Sequence, residues 1–330
     1  ECAQSWPPEV AHALGEVVRE VDLTRYPDTS GRSLRAILAK RYGCPADDIV
    51  LGNGSDEIIA LLLTALAGPG TTPPVLVVPT PTFVMYSHTA RVLGYEIREA
   101  ALNDDLELDP GRMRDALAGA TVCFIARPNN PTGGLWDAEL VRALVAEHPD
   151  VVFVVDEAYC AYAPDQSLWR DERVSNQVHM ATLSKVGMAA LRLGYCIADP
   201  TLCLALNKVR HPYNVSATSL ALAGTILTRF ADAQASMVAE TLACRELLTE
   251  MLGELPDTKV FPSHANFVLV RLPGPDLPAR LCAFLAQVGI LVKDVSTTRG
   301  LAGCLRVGVG TRCELARLHE RLQAWSHGER

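Results

Sequence analysis

Four short apolar runs punctuate the first two thirds of the chain: PVLVVP at 74–79, TVCFIA at 121–126, VVFVVDEAY at 151–159 and RLGYCIA at 192–198. Continuous apolar runs of this length, rich in β-branched residues, predict strands buried on both faces. Between and beyond them, apolar positions recur at three- and four-residue intervals, which predicts helices over 55–67, 82–93, 137–147 and 217–252. Strands alternating with helices predict an α/β protein with a parallel sheet and crossover helices. Turn residues cluster in GELPDTKVFPS at 253–263 and the patterns begin afresh beyond it, so a domain boundary is expected there.

With 330 residues, 49% of them hydrophobic and 21% charged, the chain can bury a large core and a smaller second one. A formal net charge of −8, with no basic run and no arginines interleaved with aromatics, argues against nucleic acid or an acidic membrane as partner. The longest apolar run, IIALLLTALA from Ile58, is too short to span a bilayer, and the N-terminal stretch has no signal pattern. The cytoplasm is the expected compartment. The chain opens on Glu1 rather than methionine, as a sequence would whose upstream residues had been removed or left out. Ten cysteines lie scattered without C-x-x-C pairs or neighbouring histidines, so reduced thiols are expected rather than a metal site or a disulfide framework.

In open α/β sheets ligands bind beyond the carboxyl ends of strands, so polar residues that end apolar runs are the first candidates for chemistry. In VLGNGSDEII, the backbone N–H groups of Gly54, Ser55 and Asp56 open a helix and could hold an anion, or simply form a capped turn. Glu57 stands where a dinucleotide fingerprint needs its third glycine. ARPNNPTGG places Asn129 and Asn130 in a turn, where an amide could donate to a ligand or serve the turn itself. Asp156 ends five apolar residues, so its carboxylate is carried to the end of a buried strand, where it needs a cationic partner or caps the next turn. TLSKVGMAALRLGY puts Lys185 inside an apolar run, in a chain with five lysines, together with Ser184 and Arg192. A lysine there is paired, snorkelling, or kept neutral for use as a nucleophile.

The order of these elements, with 26 residues from Asn130 to Asp156 and 29 more to Lys185, resembles the fold-type I pyridoxal-phosphate aminotransferases. Within them the chain is most similar to the histidinol-phosphate aminotransferase branch, through RYPDTSGRSLR, LGNGSDEII, PTPTFVMY, PNNPTG, VVDEAY, TLSKVGMAALRLGY, VRHPYNVS, SHANFVLVR and CLRVGVGT. The resemblance implies an α/β fold: a large domain over 24–252, with a mostly parallel seven-stranded sheet flanked by helices. A smaller α/β domain would combine 253–330 with the N-terminal segment 1–23. It also implies a homodimer with shared active sites.

By the same resemblance, the amine of Lys185 condenses with the aldehyde of pyridoxal 5′-phosphate and later shuttles a proton. Asp156 pairs with the protonated ring nitrogen, Asn130 and Tyr159 bond the phenolic oxygen, and Phe83 stacks on the ring. The phosphate is held by Gly54, Ser55, Asp56, Ser184 and Arg192, with Tyr26 reaching across from the other subunit. Arg306 and Lys293 bind the substrate anion. The implied reaction is transamination from L-histidinol phosphate to 2-oxoglutarate. At the donor end the match departs: ECAQSWPP replaces the family's Asn-Glu-Asn-Pro-Tyr run and puts Gln4 where a tyrosine is expected. Another amino donor, a decarboxylase of phosphothreonine type, or a cofactor-binding regulator are the alternatives that the sequence leaves open.

Overall fold

The computed structural model describes residues 1–68, 72–169 and 174–328. Eleven strands are seen among them: β1 Ile49–Asn53, β2 Val75–Thr80, β3 Glu96–Ala101, β4 Val122–Ala126, β5 Val152–Asp156, β6 Gln177–Thr182, β7 Leu193–Ile197, β8 Lys259–Val260, β9 Phe267–Arg271, β10 Lys293–Asp294 and β11 Cys304–Gly308. The first seven form one sheet in the order β1-β7-β6-β5-β4-β2-β3, and the last four a second sheet in the order β10-β11-β9-β8. In the large sheet β7 runs antiparallel to both of its neighbours, while β6, β5, β4, β2 and β3 pair in parallel. The sheet is therefore mostly parallel, as the resemblance implies.

Strand periodicity sorts the apolar side chains into two cores. Val75, Val77, Cys123, Ile125, Phe153 and Val155 face one way and pack against helices Pro110–Leu117 and Ala138–Glu147. Leu76, Val78, Val122, Phe124 and Val154 face the other way, toward helices Ser55–Leu66, Met85–Val92 and Pro200–Val209. Burying each such side chain contributes roughly 1.5–3 kcal/mol. The second sheet divides likewise. Val268, Val270, Leu305 and Val307 lie against helices Ala231–Gly253, Leu277–Ala286 and Arg312–Ser326. Leu269 and Cys304, on its opposite face, join the first core of the large sheet. Arg306 shares that face with Cys304, which brings a substrate-binding candidate to the junction of the two sheets.

Several elements differ from the sequence pattern for local reasons. The strand expected at 151–159 stops at Asp156, because its Oδ1 accepts from the Ala158 N–H at 2.9 Å and turns the chain. The helix expected from 82 begins only at Met85; the Thr82 hydroxyl is engaged with Asn129 Oδ1 at 2.7 Å. The long helix expected over 217–252 is two, Ala217–Arg229 and Ala231–Gly253, separated by Phe230 at φ −127° and ψ 26°. β1, β3 and β6 were not anticipated: β3, EIREAA, is a half-exposed edge strand with little apolar signal. Among the described residues no helix is long and apolar enough to cross a membrane.

One glycine sets how closely β7 approaches the turn after β1. A Cβ on Gly194 would lie 2.4 Å from both Gly54 C and Ser55 N, backbone atoms that cannot swing aside. Gly194→Ala is expected to lower unfolding free energy by about 1–3 kcal/mol, as overpacking does. Urea denaturation of the variant beside the parent checks this, and an unchanged midpoint would contradict it.

Candidate active site

β5 and β6 are parallel neighbours, with Asp156 opposite Met180, so the chain leaves both at the same edge of the sheet. Asp156 is the last residue of β5 and is 5% exposed. Its Oδ2 accepts from the Tyr86 hydroxyl at 2.5 Å and its Oδ1 from the Ala158 N–H. Burial pushes its carboxyl up to about 6, against the pull of those two donors and of Lys185. Lys185 follows β6 in an irregular turn, Ser184–Met188. Its Nζ stands 5.5 Å from the centre of the Tyr159 ring, and burial depresses its pKa, with Asp156 opposing that shift. An acid short of positive charge and an amine eased toward neutrality thus face one space.

The other wall of that space is the β1 turn. Gly54, at φ +81°, leads into helix Ser55–Leu66, whose first N–H groups point out of the sheet edge. A Cβ on Gly54 would come 2.7 Å from Arg192 Nη2, so the glycine leaves room for the guanidinium. Arg192 itself holds a left-handed conformation at φ +50°, uncommon for a residue with a side chain, and donates to Asp56 Oδ2 at 3.2 Å. Ser184 is fixed by Thr182, whose Oγ1 lies 3.0 Å from its hydroxyl and accepts from its N–H at 3.1 Å. Glu57, the residue that breaks the dinucleotide pattern, accepts from the Asn53 N–H at 2.5 Å and from Asn214 Nδ2 at 2.7 Å, and so braces the turn.

Of the two asparagines in the PNNPTG turn, Asn129 is fully buried and knits the loop, donating to the Pro81 carbonyl and to Thr132 Oγ1. Asn130 faces the site, its Oδ1 accepting from Arg306 Nη1 at 2.6 Å. Arg306 also lies over the Phe267 ring, 5.0 Å from its centre, and Phe267 meets the Tyr159 ring edge-on at 5.3 Å. Lys293 is exposed and sits directly across the β10–β11 ladder from Arg306. Phe83 packs edge-on against Tyr86 at 5.4 Å, beside Asp156. The structure therefore gathers Lys185, Asp156, Tyr159, Asn130 and Arg306 on one side, and Gly54, Ser55, Asp56, Ser184 and Arg192 on the other. Tyr26 is not drawn into either group: the residue is 80% exposed and its ring stacks on Tyr213 at 4.4 Å. A cavity of about 1100 Å³, lined by Tyr42, Glu157, Trp169 and His179, lies next to this site; Lys185 and Asp56 are not among its lining residues.

The chain matches the family model for aminotransferase class I and II over residues 2–322. It belongs to that family. It is 40% identical over 316 residues to a histidinol-phosphate aminotransferase of Nitrosococcus oceani, covering 94% of this chain and 86% of that one. Its fold is like that of the histidinol-phosphate aminotransferase from Clostridium acetobutylicum, with a TM-score of 0.88, 22% identity, and 98% and 97% of the two chains covered. The L-threonine-O-3-phosphate decarboxylase from Porphyromonas gingivalis is also alike, with a TM-score of 0.80, 23% identity and 97% of each chain covered. At those identities the structural likeness speaks for the fold alone. Like its family, this aminotransferase depends on pyridoxal 5′-phosphate.

The residues present suit that cofactor. Asp156 is a buried acid whose hydrogen-bond donors are both neutral, so a cationic ring nitrogen meets a need the protein leaves open. The Gly54–Arg192 approach, next to free helix N–H groups, suits a phosphate. Two supporting residues were missed in the sequence. Tyr86 lies in the quoted PTPTFVMY motif, but only the fold brings it to Asp156, 70 positions away. Asn214 lies in VRHPYNVS and reaches Glu57 in the same non-local way.

Asp156 gives a pH signature. In the cofactor-free folded chain it holds its proton up to about pH 6, whereas unfolded it loses the proton near its ordinary value of 3.8. Between those values the folded state binds more protons, so this residue lowers stability as pH rises through the window. Asp156→Asn should therefore gain stability relative to the parent as pH goes from about 4 to 6, by up to about 3 kcal/mol, and level off above. Chemical denaturation of both cofactor-free proteins across that range checks it; a difference that stays flat would contradict it.

Proposed function

We propose that the chain transfers the amino group of L-histidinol phosphate to 2-oxoglutarate. The 40% identity to a histidinol-phosphate aminotransferase, sustained over nearly the whole chain, carries this reading. Two cations opposed on β10 and β11, beside Asn130, support an anionic substrate. Gln4 adds a buried Nε2 donor without a partner among the described residues, at the position where the resembled family has its substrate-phosphate tyrosine.

When bound, pyridoxal phosphate supplies the aldehyde that takes up the amino group and a ring that spreads the charge left on the donor carbon. The protein does the rest. Arg192, Ser184 and the N–H groups of Ser55 and Asp56 hold the phosphate as a charge-assisted cluster. Asp156 would set its carboxylate against the ring nitrogen and favour that nitrogen's protonated form. Tyr159 and Asn130 would offer donors to the phenolic oxygen, and Phe83 would pack on the ring. Lys185 would be the point of attachment, and its amine, whose pKa burial lowers, would serve as the base that moves a proton at the donor carbon. Arg306 binds the substrate anion through its planar fork, and Lys293 adds a point charge. Tyr26, exposed and stacked on Tyr213, fits a subunit interface, so the working unit is read as a homodimer; the cytoplasm is the compartment the sequence leads one to expect.

A decarboxylase of phosphothreonine type is the second reading, because the departure at Gln4 leaves the substrate open and the same fold and cofactor residues would serve that reaction. Mixing the yellow holoenzyme with L-histidinol phosphate is expected to bleach the visible band and leave pyridoxamine phosphate, which 2-oxoglutarate then reverses. Carbon dioxide release from O-phosphothreonine without pyridoxamine phosphate would overturn the first reading. Faster bleaching by an unphosphorylated amino acid would overturn the donor while leaving transamination in place.

Lys185→Ala should lower kcat by about 10⁴-fold or more while the fold, followed by circular dichroism, is kept. Turnover within tenfold of the parent would contradict the role given to Lys185.

A further inference from the structure

The turn that carries Lys185 is held by three side chains from three distant segments. Tyr162 Oη donates to the Lys185 carbonyl at 2.5 Å, Gln234 Nε2 to the Val186 carbonyl at 3.2 Å, and Trp6 Nε1 to the Gly187 carbonyl at 2.8 Å. Three successive peptide groups are thus gripped from outside. The turn needs support of this kind: Val186 at φ −117°, ψ 43° and Gly187 at φ +86°, ψ 3° depart from helical geometry. Tyr162 and Gln234 are 2% and 8% exposed, so water competes little for those two bonds. Trp6 also packs on the turn, since a Cβ on Gly187 would meet its ring at 3.0 Å.

We propose that Trp6, Tyr162 and Gln234 are positioning residues that fix the Lys185 backbone and thereby aim its amine at the reacting carbon. None of the three is required to touch cofactor or substrate. Tyr162 lies six residues after Asp156, so the acid and the amine are tied through one short segment as well as across the sheet. Gln234 brings in helix Ala231–Gly253, and Trp6 brings in the ECAQSWPP segment, where this chain departs from the family it resembles. Loosening any one tie lets the side chain of Lys185 wander toward water, which favours its protonated form.

The proposal rests on Lys185 as the point of cofactor attachment, and the experiment separates the two ideas. Trp6→Phe keeps the ring and removes the N–H; Gln234→Leu removes the second donor and serves if the first variant folds poorly. In the holoenzymes, the pH midpoint of the visible cofactor band and the rate at which semicarbazide strips the cofactor are measured beside kcat and KM. The midpoint is expected to rise, and stripping to quicken by about five- to tenfold, one hydrogen bond's worth. A matching fall in kcat is expected, with KM for the amino donor within about twofold, because these residues hold geometry rather than bind substrate. Folded variants that titrate, release cofactor and turn over as the parent does would overturn the proposal, as would a change in KM alone. A visible band that survives Lys185→Ala would instead overturn the reading on which it rests.

Discussion

A carboxylate at the end of one buried strand faces an amine just beyond the end of its neighbour; the acid is buried and the lysine half-buried. Removing either charge from water alone costs several kcal/mol, and each shifts the other's proton equilibrium. Asp156 is held high despite two hydrogen bonds; Lys185 is held low despite a nearby acid. The pair is therefore poised rather than settled. In the proposed site a cationic ring nitrogen would satisfy the acid and leave the amine free to react. Every other feature of the site either builds this gap or defines what fills it.

The sheet builds it. Parallel β4, β5 and β6 deliver Asn130, Asp156 and Lys185 to the same edge, while the antiparallel β7 returns Arg192 beside the β1 turn. Two close approaches fix the phosphate end: Gly194 lets β7 sit against the turn, and Gly54 makes room for the guanidinium of Arg192. At the other end, the hydrogen bond from Arg306 to Asn130 joins the second sheet to the first. That bond sets the proposed substrate arginine against the proposed cofactor residue Asn130, so a change in how the two sheets lie would be felt by both.

Local sequence carried the first half of this picture. Asp156 ends a run of β-branched residues, Lys185 stands out in an apolar stretch, and Gly54–Ser55–Asp56 opens a helix, so each could be picked out from its immediate neighbours. For Asp156 the capping reading is what the structure shows, since one carboxylate oxygen caps the Ala158 turn; the other is held by the neutral Tyr86 hydroxyl, and the cationic partner is left to the proposed cofactor. What the sequence hid was non-local. Tyr86, Asn214, Tyr162, Gln234 and Trp6 act through contacts 23 to 181 residues away, and nothing in their own neighbourhoods marks them. The edge strand β3 was hidden for a different reason, because a strand with one face in water lacks a continuous apolar run. The break at Phe230 has neither proline nor glycine, and only Asp232 in the following first turn hints at a new helix.

The proposed site commits one amine among the chain's five lysines to the cofactor. Reducing the yellow holoenzyme with borohydride locks the cofactor onto whichever lysine holds it, and peptide mass spectrometry then reads its position. The account predicts a single pyridoxyl group on Lys185. Label on Lys40, Lys208, Lys259 or Lys293 in place of Lys185 would contradict it.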